Sequence, residues 1–73
     1  MMPSQCRAGR ALLDWTQPEL AEAAGLGLST VVDFERQRRR VSDDAMAAIH
    51  RALEKAGVEF TNGKRPGVRL RKG

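Results

Sequence analysis

The stretch from Gln17 to Phe34, Q-P-E-L-A-E-A-A-G-L-G-L-S-T-V-V-D-F, constrains this chain more than any other. It holds two helical patterns only a few residues apart, so the helices must meet at a tight corner. Crossing helices need a small side chain where their axes approach, and Ala21 supplies one. The corner needs a residue that accepts positive φ, and Gly25 follows four positions later. The positions that such a corner turns inward are Leu20, Ala24, Leu26, Val31 and Phe34, and all five are apolar. Thr16 is a good N-cap for the first of these helices, with Glu19 placed to complete a capping box. Pro18 falls in its first turn, where a missing N–H matters little. The second fits residues 28–36, with Val31 and Phe34 inward at i, i+3.

The flanks are helical as well. Ser4 can cap a preceding helix, in which Ala8, Leu12 and Trp15 repeat at i, i+4, i+7. A further helix opens at Ser42, where Asp43 and Asp44 suit its positive end. Met46, Ile49, Leu53 and Ala56 continue its apolar face, and Gly57 ends it. The period then changes. Val58-Glu59-Phe60 and Val68-Arg69-Leu70-Arg71 alternate as strands do, and Asn62-Gly63 and Pro66-Gly67 between them are turn formers. The economical reading is a hairpin that lays Val58, Phe60, Val68 and Leu70 on the helices. The expected fold is mainly α: four helices over residues 4–56, with residues 57–73 a β-hairpin extension of the same domain.

With 73 residues the chain has room for one small domain. Its expected core is Leu12, Leu13, Trp15, Leu20, Leu26, Val31, Phe34, Met46, Ile49 and Leu53, plus alanines. A domain this size buries only about 60% of its unfolded surface, so a thin core would be relieved by dimerisation. No apolar run approaches the roughly 18 residues that span a bilayer, and the N-terminus lacks the apolar stretch of a secretory signal. A cytoplasmic location is expected.

One cysteine, Cys6, excludes an internal disulfide framework and a multi-cysteine zinc site. It reads as a small buried residue, His50 as a surface or boundary residue, and Trp15 as packing. The pairs Glu19/Glu22 and Asp43/Asp44 sit near helix N-termini, where carboxylates are favoured for dipole reasons. There is no nucleophile–base pairing and no phosphate loop. Neither enzymatic activity nor a cofactor or metal is expected.

Charge is divided along the chain. Thirteen Lys and Arg against nine Asp and Glu give +4, but residues 1–35 carry −3 and residues 36–73 carry +7. Basic clusters release counterions from nucleic acid, so the second half points to a polyanion partner. The first half does not.

Taken together, the spacing from Gln17 to Phe34 is what a helix-turn-helix imposes, with an ordinary αα-corner of a helical bundle as the alternative. The chain resembles the Xre-type, phage-repressor-like helix-turn-helix family over nearly all of residues 4–56. T-Q-P-E-L-A-E-A-A-G is similar to the family's second helix, and S-T-V-V-D-F-E-R-Q to its third. The start and the G-V-E-F ending further resemble short bacterial members with a terminal strand pair. The resemblance implies a transcriptional regulator that sets its third helix in the major groove of double-stranded DNA, usually as a homodimer. It implies that Gln17 reaches phosphate or braces a neighbouring reader, and that Arg10 and Glu35 form an inward-facing salt bridge. It places the readers at Leu28, Ser29, Thr30, Val32 and Asp33.

At those reader positions the chain departs from the family, which favours Arg, Gln, Asn or Lys for their bidentate contacts to purines. Leu28 and Val32 could meet thymine methyls, and Asp33 could accept from a cytosine amino group. Gly27 stands where a capping Ser or Thr is usual, and Gln37 where Gly is usual. Affinity would come from Arg36, Arg38, Arg39 and Arg40, a loop that in the family lies along the phosphates. Lys64, Arg65, Arg69, Arg71 and Lys72 either touch flanking DNA or guard an edge strand beside a dimer interface built on Val58, Phe60, Val68 and Leu70. Two other readings remain. The apolar pair Leu28 and Val32 suits a protein-binding module, an anti-activator that captures another regulatory protein. The basic half alone would suit architectural binding without sequence preference.

Overall fold

The structure is a computed structural model that describes residues 1–61 and 64–71. Helices α1 (Pro3–Leu13), α2 (Gln17–Ala24), α3 (Leu28–Arg36) and α4 (Asp43–Lys55) precede strands β1 (Val58–Thr61) and β2 (Gly67–Leu70). The strands pair antiparallel, with Val58 opposite Leu70, Glu59 opposite Arg69, Phe60 opposite Val68 and Thr61 opposite Gly67. The expected Asn62-Gly63 turn lies outside the described residues, as does Lys72.

Local chemistry explains the α2–α3 corner. The Thr16 hydroxyl accepts from the Glu19 N–H at 3.2 Å, and Glu19 Oε1 accepts from the Thr16 N–H at 3.0 Å. This reciprocal box satisfies two amides that the helix itself cannot. Gly25 ends α2 in the left-handed region at φ 70°. Leu20, Ala21, Val31 and Phe34 are buried, while Ala24 and Leu26 are half-buried against them. At α4 the Ser42 hydroxyl accepts from the Ala45 N–H at 3.1 Å, and Asp43 and Asp44 occupy the first turn.

Helix α1 departs from expectation. Met2 rather than Ser4 is its N-cap, because Pro3 takes the first helical position, where its fixed φ fits and its missing N–H is harmless. Gln5 Oε1 accepts from the Met2 N–H at 2.8 Å. The expected face of Ala8, Leu12 and Trp15 is not the buried one. Ala8 and Leu12 are exposed, and Trp15 lies beyond the helix end, which Asp14 closes at φ 59°. The buried face is Gln5, Cys6 and Gly9. A Cβ on Gly9 would sit 3.5 Å from Leu53 and Val58 side-chain carbons, so close approach to α4 and β1 selects small residues here.

The core is otherwise Val41, Ala45, Ile49, Leu53 and Val58, joined to the buried residues of α1–α3. Leu12, expected inside, is outside. Leu13, Trp15, Leu26 and Met46 pack around its edge. Ala56 is an exposed C-cap rather than part of the α4 face. In the hairpin Val58 is buried and Phe60 and Val68 are half-buried, but Leu70, expected against the helices, is 45% exposed.

Candidate nucleic-acid interface

Helix α3 is held by one buried carboxylate. Glu35 is 1% exposed and receives Arg10 Nε at 2.7 Å, Arg10 Nη2 at 2.8 Å, Gln17 Nε2 at 3.0 Å and the Cys6 thiol at 3.1 Å. The forked guanidinium meets both oxygens, the geometry that makes an Arg–carboxylate pair strong and directional. Burial by itself raises the Glu35 pKa, but Arg10, Cys6 and Gln17 together outweigh it and hold the group below its ordinary value. Burial, together with the hydrogen bond to Glu35, pushes the Cys6 thiol well above its usual range. The thiol stays protonated as a donor. Arg7 Nη1 donates to the Glu35 carbonyl in the last turn of α3, where helix carbonyls lack partners. Two helices, α1 and α2, therefore fix α3 through a single residue.

The opposite side of α3 is open. Ser29, Asp33 and Arg36 follow one another at i, i+4, i+7, and Leu28 is 46% exposed at the first turn. Gly27 caps the helix without a side-chain bond, and Gln37 ends it in the left-handed region at φ 55°. Beyond it Arg36, Arg38, Arg39 and Arg40 are all exposed. The run is pinned at its far end by Val41, which is buried. Among the described residues the side chains of Arg36, Arg38 and Arg40 form no hydrogen bond or ion pair. Arg39 does: its Nε donates to Asp33 Oδ2 at 2.7 Å.

A corner of two short helices, a second helix with a free outer face and a basic loop behind it is the layout of a DNA-binding domain. A family model described as helix-turn-helix matches residues 7–60, about three quarters of the chain. The chain belongs to the Xre-type helix-turn-helix family. No curated protein matches the chain. Like its family, which is not an enzymatic one, this helix-turn-helix protein is a DNA-binding regulator domain. No helix among the described residues is long and apolar enough to cross a membrane.

The helix-turn-helix places its sequence-derived residues unequally. Leu28, Ser29, Thr30, Val32 and Asp33 share α3, with Leu28 and Ser29 the most open. Gln17 is turned to Glu35, so its amide N–H group braces the carboxylate that holds α3. Arg69 lies across the hairpin from Glu59, with Nε donating to Oε1 at 2.7 Å. Arg71 Nη2 donates to the Glu54 carbonyl at 3.0 Å and so closes the end of α4. Three contributors were missed. Arg7 stands three residues before Arg10, a spacing that puts both on one face of a helix. Val41 was legible as the single apolar residue between Arg40 and Ser42. Gln5 left no signal: its Nε2 donates to the Gly67 carbonyl at 3.1 Å and the Thr61 carbonyl at 3.4 Å, tying both strands to α1.

Proposed function

We propose that this domain regulates transcription by setting α3 in the major groove, with Arg36, Arg38 and Arg40 on the flanking phosphates. The observation that carries the reading is the exposed arginine run directly behind α3, with three guanidiniums free of partners among the described residues. Guanidinium matches phosphate in charge and in forked geometry. Gln17 and the Arg10–Glu35 pair act one step back, by fixing the angle at which α3 leaves the corner. The hairpin of residues 57–73 extends the unit of residues 4–56. Its half-open apolar side, Phe60, Val68 and Leu70, joins two copies, with Arg69 and Arg71 at the rim.

The test is a mobility-shift titration against the duplex upstream of its own gene and a scrambled duplex at two salt concentrations. Each phosphate contact contributes about 0.9 to the slope of log affinity against log salt. Arg38→Ala with Arg40→Ala should flatten that slope by nearly two and weaken binding to both duplexes alike. Binding indifferent to salt and to the double change would refute the reading.

A second reading rests on Leu28, 46% exposed on the face that DNA readers keep polar. In it, α3 captures another regulatory protein. Leu28→Glu would then abolish regulation while leaving duplex binding intact, whereas full regulation by that variant would remove the case for a protein partner.

A further inference from the structure

Arg39 differs from its three arginine neighbours. Their side chains form no hydrogen bond or ion pair among the described residues, and its side chain is anchored to the outward stripe of α3. Asp33 stands on that stripe between Ser29 and Arg36, and its Oδ2 receives Arg39 Nε at 2.7 Å. The Asp33 side chain is 20% exposed and that of Arg39 is 54% exposed, so the carboxylate is the base of the pair and the guanidinium its open end. With Nε engaged, Nη1 and Nη2 make no hydrogen bond to any described residue. They form a two-pronged donor held at the helix surface.

Building on the DNA-binding reading above, we propose that Arg39 reads a guanine in the major groove and that Asp33 is its positioning residue. Guanine presents N7 and O6 there as adjacent acceptors, the match for a two-pronged guanidinium. Residues 28–35 of α3 contain no Arg, Lys, Asn or Gln. The helix itself offers a forked donor only at its last residue, Arg36, and the loop adds an anchored one beside the reader positions. A base edge rather than a phosphate is the fitting target for two reasons. First, the pair is neutral as a unit, so it adds little to the long-range attraction or counterion release on which phosphate binding depends. Second, a base edge demands fixed geometry, and a guanidinium ordered in advance by Asp33 loses less freedom on docking. The pairing also accounts for an acidic residue on a surface turned to a polyanion. Its charge is cancelled where it stands, and its role is to aim.

The test uses the full chain. Selection from a random duplex library defines the preferred site. Affinities are then measured for that site, for copies with single guanines replaced by 7-deazaguanine, and for a scrambled duplex, over a range of salt. Loss of N7 at one guanine should weaken the wild type roughly 5- to 150-fold and leave Arg39→Ala unchanged. Asp33→Ala should bind the scrambled duplex more tightly, because a cation is released, yet discriminate less at that guanine. Asp33→Ala with Arg39→Ala removes a neutral pair, so it should keep the wild-type salt slope and lose the guanine preference. Arg38→Ala should do the reverse, flattening the slope by about 0.9 at unchanged preference.

Selection without an essential guanine, or Arg39 variants that keep the wild-type preference, would overturn the assignment and leave DNA binding standing. So would Asp33→Ala tightening every duplex equally, which would make Asp33 a mask rather than a guide. A wild-type chain that binds no duplex at any salt would overturn the DNA-binding reading and this one together.

Discussion

Glu35 carries four side-chain donors in a domain whose whole stability is a few kcal/mol, so its loss cannot be absorbed. Glu35→Ala strands Arg10 and Gln17 beside a cavity. Breaking a buried pair costs about 3–5 kcal/mol, so thermal melting followed by circular dichroism should find the variant largely unfolded near room temperature. The pH dependence follows from the direction of its shift. The folded state holds Glu35 below its ordinary value of 4.5, so the unfolded chain takes up its proton first. Its contribution is complete above about pH 4.5 and is lost as pH falls through the lower folded value. The acid side of the stability profile should therefore be shallower in Glu35→Gln than in the wild type. Gln37 offers the opposite opportunity. An L-residue in the left-handed region costs about 1–2 kcal/mol, and Gly costs about 0.4–1 in unfolded-chain entropy. Gln37→Gly should then stabilise by about 0.5–1 kcal/mol and raise the melting temperature by a few degrees.

At the scale of elements, α2 and α3 were legible because their signals are local. A cap, a box and a corner glycine each act within four residues. Helix α1 departs from its apolar periodicity for the converse reason. Its large apolar residue Leu12 faces solvent, whereas its buried stripe is an amide, a thiol and a glycine. Nothing within α1 indicates that Leu53 and Val58 press against Gly9, since they arrive from more than forty residues away. Gln5 is the clearest case. In isolation it is a polar residue on a short helix, yet folding places its amide under both strands. Gln5→Ala should leave the Gly67 and Thr61 carbonyls without that donor, at about 1–3 kcal/mol. Hydrogen exchange should then show lost protection in β1 and β2 before any loss in α2 and α3.

Over the whole molecule, a two-stranded sheet leaves each strand with one unpaired edge, and such a ribbon is marginal without support. Here α1 and α4 supply part of that support and Leu70 stays 45% exposed. If two copies join through this side, Leu70→Lys should shift sedimentation velocity to the monomer and abolish the dependence of the melting temperature on protein concentration. The division of charge also has an architectural explanation. Glu35 is internal, Glu19 completes a cap and Asp33 is neutralised by Arg39. On α3 and its loop, Arg36, Arg38 and Arg40 remain exposed with no side-chain hydrogen bond or ion pair among the described residues.

Sequence by itself determined the parts that depend on neighbours along the chain. These are the four helices, the α2–α3 corner, the caps at Thr16 and Ser42, the strand pair and the family. Its resemblance to that family also named Arg10 and Glu35 as partners. Only the tertiary structure decided which side of α1 is buried, that Leu70 is left open and where the arginines of the loop are directed. Burial is set by what packs against a surface, and an exposed ion pair such as Asp33–Arg39 depends on where a loop returns. Periodicity carries neither kind of information.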